Sequence, residues 1–118
     1  MNKTVLLVDD SRFMRSLLKR TLIDNGFSVI AEAGSGEEAV MLYDSHSPHI
    51  VLLDITLPNM NGVDTLIEIK KINPDAHVVM CSALGTQDLI IKALENGAEG
   101  FIVKPFFDNL ITTLNQIE

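Results

Sequence analysis

Short apolar runs alternate along the chain with longer amphipathic stretches. Five runs rich in β-branched or aliphatic residues, Val5 to Val8, Val29 to Ala33, Ile50 to Leu53, Val78 to Ser82 and Phe101 to Val103, start 21 to 28 residues apart. That spacing leaves room for a strand, a turn and a helix in each unit, so the chain reads as successive βαβ units. In the first intervening stretch Met14, Leu17, Leu18, Thr21 and Leu22 share one helical face, while Arg12, Arg15, Lys19 and Arg20 form a basic stripe read as solvated, though it borders the acidic site described below. Asn25-Gly26 ends that helix.

The remaining helices carry comparable punctuation. Ser35 and Glu38 have capping-box spacing and open a second helix that runs to about Asp44, before Ser47-Pro48. A third spans about Gly62 to Ile72 and stops before Asn73-Pro74. A fourth spans about Thr86 to Asn96, with Gly97 placed to close it in a left-handed conformation. A fifth begins near Asp108 or Asn109 and takes the chain to its end. Strands two, three and four are almost continuously apolar, which predicts burial on both faces. The pattern therefore predicts an α/β fold, a (βα)5 doubly wound parallel sheet, because a closed parallel barrel needs more units.

Composition narrows the class. The 118 residues fit one domain, 1–118, and 47% apolar content excludes disorder. A net charge of −7 argues against nucleic acid and anionic lipid as partners. The first apolar run is too short for a signal-peptide core or a membrane span, and the single cysteine, Cys81, points to no oxidising compartment. A cytoplasmic location is expected.

Ligands of open α/β sheets bind beyond the carboxyl ends of the strands. There strand one ends in Asp9-Asp10, strand three in Asp54, strand four in Ser82 and strand five in Lys104. The opposite ends, Thr4, Ser28, His49, His77 and Gly100, hold no such concentration of charge. Two carboxylates about 4 Å apart repel by roughly 4 kcal/mol at an effective dielectric near 20. A hard divalent cation offsets that cost, and Mg²⁺ is typically held by one or two carboxylates, waters and a phosphate. An isolated acidic pair in a βα turn more often caps a helix, but three carboxylates at one edge favour a Mg²⁺-dependent phosphoryl site. Asp54 can act as nucleophile through its carboxylate, Ser82 offers a hydroxyl donor, and Lys104 a point charge for phosphoryl oxygens. Taken singly, Ser82 reads as a strand-end cap and Lys104 as a solvated lysine. Cys81, inside an apolar strand, reads as core.

The segments Val5-Leu-Leu-Val-Asp-Asp10, Leu52-Leu-Asp-Ile-Thr-Leu-Pro-Asn-Met-Asn-Gly62, Cys81-Ser-Ala-Leu84 and Gly97-Ala-Glu-Gly-Phe-Ile-Val-Lys-Pro-Phe106 resemble, in order and spacing, the receiver domains of two-component response regulators. They are most similar to the stand-alone receivers of chemotaxis. The resemblance, not the pattern, supplies a flavodoxin-like strand order of 2-1-3-4-5. It implies that Asp54 accepts a phosphoryl group from the phosphohistidine of a histidine kinase. It also implies that Asp9, Asp10, Asp54 and the Thr56 backbone carbonyl hold Mg²⁺. Ser82 becomes the switch hydroxyl, Lys104 the phosphate-binding lysine, Phe101 the switch aromatic, and Lys104-Pro105 a cis peptide bond. The implied output is a population shift on the face of helix four, strand five and helix five.

Because the chain stops after helix five, output is expected through partners: a flagellar motor switch protein or another output protein, with a phosphatase as a further partner. The protein is expected to assist its own phosphoryl transfer and hydrolysis without being an enzyme. Phe101, lacking the hydroxyl of the more usual tyrosine, is expected to turn inward even before phosphorylation. Leu84 is expected to border the site and hinder water, and Phe106 and Phe107 read equally as core or as partner face. Two roles within the same family stay open, a phosphorelay intermediate and a phosphate sink. A haloacid-dehalogenase-like phosphatase fits less well, since it wants a second aspartate where Thr56 stands. A flavodoxin-type carrier would have its phosphate repelled by Asp9-Asp10.

Overall fold

The computed structural model describes residues 3–83, 87–104 and 109–117, with Ser82 described through its backbone. β1 (Thr4–Val8), β2 (Ser28–Ala33), β3 (Ile50–Asp54), β4 (His77–Ser82) and β5 (Gly100–Val103) alternate with α1 (Arg12–Asp24), α2 (Gly36–His46), α3 (Gly62–Ile72), α4 (Gln87–Glu95) and α5 (Leu110–Asn115). All strand pairs are parallel, in the order β2-β1-β3-β4-β5. This is the doubly wound flavodoxin-like sheet.

Period-two alternation along the strands divides the core between the two faces. Leu6, Val8, Val51, Leu53, Val78 and Met80 point to one side, where they meet Ala39, Tyr43, Leu66, Ile69 and Ala93 from α2, α3 and α4. Val5, Leu7, Ile50, Leu52, Val79, Cys81 and Ile102 point to the other, against Leu18, Leu22, Leu110 and Leu114 from α1 and α5. All five residues of β3 are buried, because it is the middle strand. The continuous burial expected of β2 is corrected: it is an edge strand, with Ile30 exposed and Glu32 half-exposed, and its register to β1 shifts after Val5.

Helix ends follow their local chemistry. α1 and α4 close in the same way. Gly26 (φ +88°) and Gly97 (φ +98°) take the left-handed conformation, and the next amides, of Phe27 and Ala98, donate to the carbonyls of Leu22 and Ala93. Ser11, Ser35 and Asn61 cap α1, α2 and α3 through side-chain oxygens that accept from the amides of Met14, Glu38 and Asp64. α2 extends two residues past the expected Asp44, to His46. The expected first residue of helix four, Thr86, lies outside the described residues, as does Asp108; α5 begins after Asn109.

α2 ends on Ser47, an exposed residue held at φ +46°. The left-handed region costs a side-chain-bearing residue ~1–2 kcal/mol, and glycine gives back part of that in unfolded-state freedom. Ser47→Gly is expected to stabilise the protein by about 0.5–1 kcal/mol. A chemical denaturation midpoint below wild type would contradict this account of the turn.

Candidate functional site

The register of the sheet places the charged residues. Val8 of β1 pairs with Leu53 of β3, so the residues that follow, Asp9 and Asp54, emerge side by side at the carboxyl edge. Val103 of β5 pairs with the backbone of Ser82, and Lys104 follows one position later. The Lys104 side chain runs back under the edge, and its ammonium donates to Asp9 Oδ2 at 2.8 Å and to Asp54 Oδ2 at 3.2 Å. Asp9, Asp54 and Lys104 are 1%, 2% and 8% exposed, whereas Asp10 faces solvent.

The second oxygens of both buried carboxylates are also occupied. Asp9 Oδ1 accepts from the Ser11 amide at 2.9 Å. Asp54 Oδ1 accepts from the Thr56 amide at 3.1 Å and from the Thr56 hydroxyl at 3.3 Å. Gly62 closes the loop after β3 tightly enough that a Cβ there would lie 2.4 Å from the Asp54 carbonyl oxygen. The glycine therefore lets the loop fold back beneath the acidic residue, with its amide donating to the Ile55 carbonyl.

Burial pushes the Asp54 carboxyl above its ordinary range, and the Asp9 charge adds to this; the Lys104 ammonium and the Thr56 amide pull it back only in part. Lys104 is itself pulled down by burial, but its hydrogen bond to Asp9 and the charges of Asp54 and Asp9 outweigh that and leave it raised. Lys104 is thus a firmly held cation. One carboxylate oxygen from each of Asp9, Asp10 and Asp54 lies within 4.8 Å of the others. Three ionised carboxylates against one ammonium leave two negative charges uncompensated. An all-oxygen donor set with that deficit fits a hard divalent cation such as Mg²⁺.

Comparison with known proteins agrees with this geometry. Residues 5–115 match the family model of the response regulator receiver domain. The chain belongs to that family. The receiver is 48% identical over 113 residues to the chemotaxis protein CheY of Bacillus subtilis, covering 95% of this chain and 94% of that one. It is 47% identical over 118 residues to CheY of Thermotoga maritima, covering 99% and 98%. Among solved structures it superposes with a TM-score of 0.90 on a CheX–CheY–BeF3–Mg²⁺ complex from Borrelia burgdorferi, at 40% identity and covering 95% of this chain and 86% of that one. Receivers as a family bind Mg²⁺, and this one has the acidic cluster for it.

Of the sequence-predicted site residues, the structure brings together Asp9, Asp10, Asp54 and Lys104, with Thr56 against Asp54. The side chain of Ser82, Leu84, the Lys104-Pro105 bond, Phe106 and Phe107 lie outside the described residues. Phe101 is not turned inward as expected. The residue is 39% exposed and lines an apolar groove with Ile90, Ile91, Leu94 and Val103, because it sits on the edge strand and α4 leaves that groove open.

Two contributions were not visible in the sequence. The Thr56 hydroxyl on Asp54 had no signal beyond residue type. Arg15 was grouped with the solvated stripe, yet its guanidinium donates to the Asp9 carbonyl and pairs with Glu32 at 3.4 Å. Helical position alone places Arg15 beside the polar stripe, and only the β1 end shows what it reaches. The rings of His49 and His77 meet at a tilt at the opposite edge, 5.1 Å between centroids, where His77 also pairs with Glu99. Cys81 is core, and burial pushes its thiol up to about 12, with the Lys104 ammonium opposing and the Asp54 and Asp9 charges adding to the rise.

A carboxyl raised on folding contributes stability in full below its unfolded value of about 3.9, and that contribution is lost as pH rises through the native value. Ionised Asp54 therefore costs stability at neutral pH without metal. Asp54→Asn is expected to unfold a few degrees above wild type at pH 7 in chelator, and the gain should shrink toward pH 4 in scanning calorimetry. A variant less stable at pH 7, or a gain independent of pH, would contradict the burial argument.

Proposed function

We propose that this receiver is a phosphorylation-activated switch of a chemotaxis two-component system, working in the cytoplasm. The observation that carries the reading is the Lys104 ammonium shared by the buried Asp9 and Asp54 carboxylates beside an exposed Asp10. A carboxylate oxygen of Asp54 attacks the phosphorus of a phosphohistidine on a histidine kinase. The P–N bond breaks, its electrons leave with the imidazole, and an acyl phosphate forms on Asp54.

Each neighbouring group has a share in this step. Lys104 already touches Asp54 and lies within reach of an incoming phosphoryl oxygen, where its charge offsets the negative charge that gathers there. The Thr56 amide and hydroxyl hold one carboxylate oxygen and fix the plane of the group. Ser82 supplies a hydroxyl to the phosphoryl group. The carboxylates of Asp9, Asp10 and Asp54 and the Thr56 backbone carbonyl would hold Mg²⁺, which would supply positive charge against the acidic cluster and the phosphoryl group. Water later hydrolyses the acyl phosphate and regenerates Asp54, so the protein assists its own chemistry without turning over a separate substrate.

Output passes through the face that carries Phe101. The ring lines a groove with Ile91 and Leu94, and all three are exposed. Drawing Lys104 and Ser82 toward a phosphoryl group changes the end of β5 and biases the Phe101 rotamer, which alters what that face binds. The flagellar motor switch protein is the proposed target, by likeness to the chemotaxis relatives, and a phosphatase ends the signal. The Borrelia burgdorferi relative was captured with CheX, BeF3 and Mg²⁺, which supports a partner complex of the activated form. Membership of the receiver family removes support from the dehalogenase-like and flavodoxin readings.

Incubation with acetyl phosphate and Mg²⁺ followed by intact-mass measurement tests the reading. One phosphoryl adduct is expected in wild type, lost with chelator and lost in Asp54→Asn. An adduct that survives in Asp54→Asn, or none in folded wild type, would contradict it.

A further inference from the structure

We propose that Arg15 is a positioning residue for the Mg²⁺ site, acting through the Asp9–Asp10 peptide; the inference rests on the metal reading given above. The Asp9 carbonyl and the Asp10 amide belong to one rigid peptide plane. Whatever holds that carbonyl sets the rotation of the plane, and with it the direction in which the exposed Asp10 side chain leaves the backbone. The Arg15 guanidinium donates to that carbonyl.

The guanidinium is itself held in place. Its Nε lies 3.4 Å from the Glu32 carboxylate of β2, an ion-pair contact without a hydrogen bond, and Lys19, one turn further along α1, donates to the other oxygen of Glu32 at 3.1 Å. The Arg15 side chain is only 17% exposed, so it is packed and not waving in solvent. The turn at Gly34 lies against it, since a Cβ there would stand in ordinary contact, 3.4 Å from Arg15 Nη1. The Asp9 amide donates to the Ala33 carbonyl, and its carboxylate is held by Ser11 and Lys104, so the Arg15 contact completes a set that fixes Asp9 on every polar atom. A planar fork suits this task better than a point charge, since one nitrogen can hold the carbonyl while another meets the carboxylate.

Two effects of Arg15 on a bound cation have opposite signs, and that makes the inference testable. As a charge, Arg15 repels Mg²⁺, so its removal would tighten binding. As a positioning residue it orients a ligand, so its removal weakens binding, by about tenfold as for other groups that orient metal ligands.

The test is the Mg²⁺ dissociation constant by titration calorimetry on the full chain for wild type, Arg15→Gln and Arg15→Lys. It is read alongside the Asp10 amide resonance of each metal-free protein by NMR. The expected result is about tenfold weaker binding for Arg15→Gln, partial recovery for Arg15→Lys, and a displaced Asp10 resonance in both. Equal or tighter binding by Arg15→Gln, with wild type binding normally, would overturn the inference alone. Should Arg15→Gln fail to fold, Arg15→Lys decides: weaker binding at unchanged charge supports positioning, and wild-type affinity overturns it. Wild type that takes up no Mg²⁺ would instead overturn the metal reading, and the inference with it.

Discussion

Two carboxylates nearly sealed from water cannot stand side by side without a cation, and in this protein the Lys104 ammonium reaches both. Taking charges out of water costs several kcal/mol per ion even after relaxation, and only close, hydrogen-bonded pairing returns that cost. The 2.8 and 3.2 Å contacts to Asp9 and Asp54 provide it, and backbone amides at Ser11 and Thr56 satisfy the remaining oxygens. The pairing is incomplete: exposed Asp10 adds a third negative charge, which no described ion pair meets. That deficit is what makes the edge receptive to a divalent cation and a phosphoryl group.

Everything else in the fold serves to bring these three side chains together. Asp9 and Asp54 meet because β1 and β3 are neighbours in register, and Lys104, just past β5, reaches across two strand positions to Asp54 and three to Asp9 through a long flexible stem. Burial of both sheet faces makes the slab rigid enough to hold such a cluster at strand ends. The Gly62 turn beneath Asp54 and the Arg15 brace behind Asp9 refine the two acidic strand ends separately. On the far side of β5, the same strand that delivers Lys104 presents Phe101 to the α4 groove, so site and surface share one backbone.

Much of this was legible in the sequence. The runs at Val5, Ile50 and Val78 and the punctuation at Gly26, Ser35 and Gly97 carried the element order, because periodicity and capping are local properties. The edge that collects Asp9, Asp10, Asp54 and Lys104 followed from parallel strands all pointing one way. Besides the Thr56 hydroxyl on Asp54, three things were not legible. β2 looks as apolar as β4, yet most of it is partly or fully exposed and only Ala33 is buried, since edge or centre is decided by strand order and not by composition. Arg15 looks like its neighbours Arg12 and Arg20, since a helical stripe does not reveal which cation bends toward a strand end. Phe101 was expected inward from the loss of a hydroxyl, an argument about one rotamer's anchor that ignored the open groove beside it.

Lys104 is the cation that holds the two buried carboxylates together. Chemical denaturation of wild type and Lys104→Met in chelator, from pH 7 down to pH 4, tests it most directly. The account predicts that the variant loses about 3–5 kcal/mol at pH 7, because two buried charges lose their partner. It further predicts that the loss narrows as Asp54, whose carboxyl is raised by burial, takes up a proton, or when Mg²⁺ is added at neutral pH. A variant as stable as wild type at pH 7, or a loss indifferent to both pH and Mg²⁺, would contradict it.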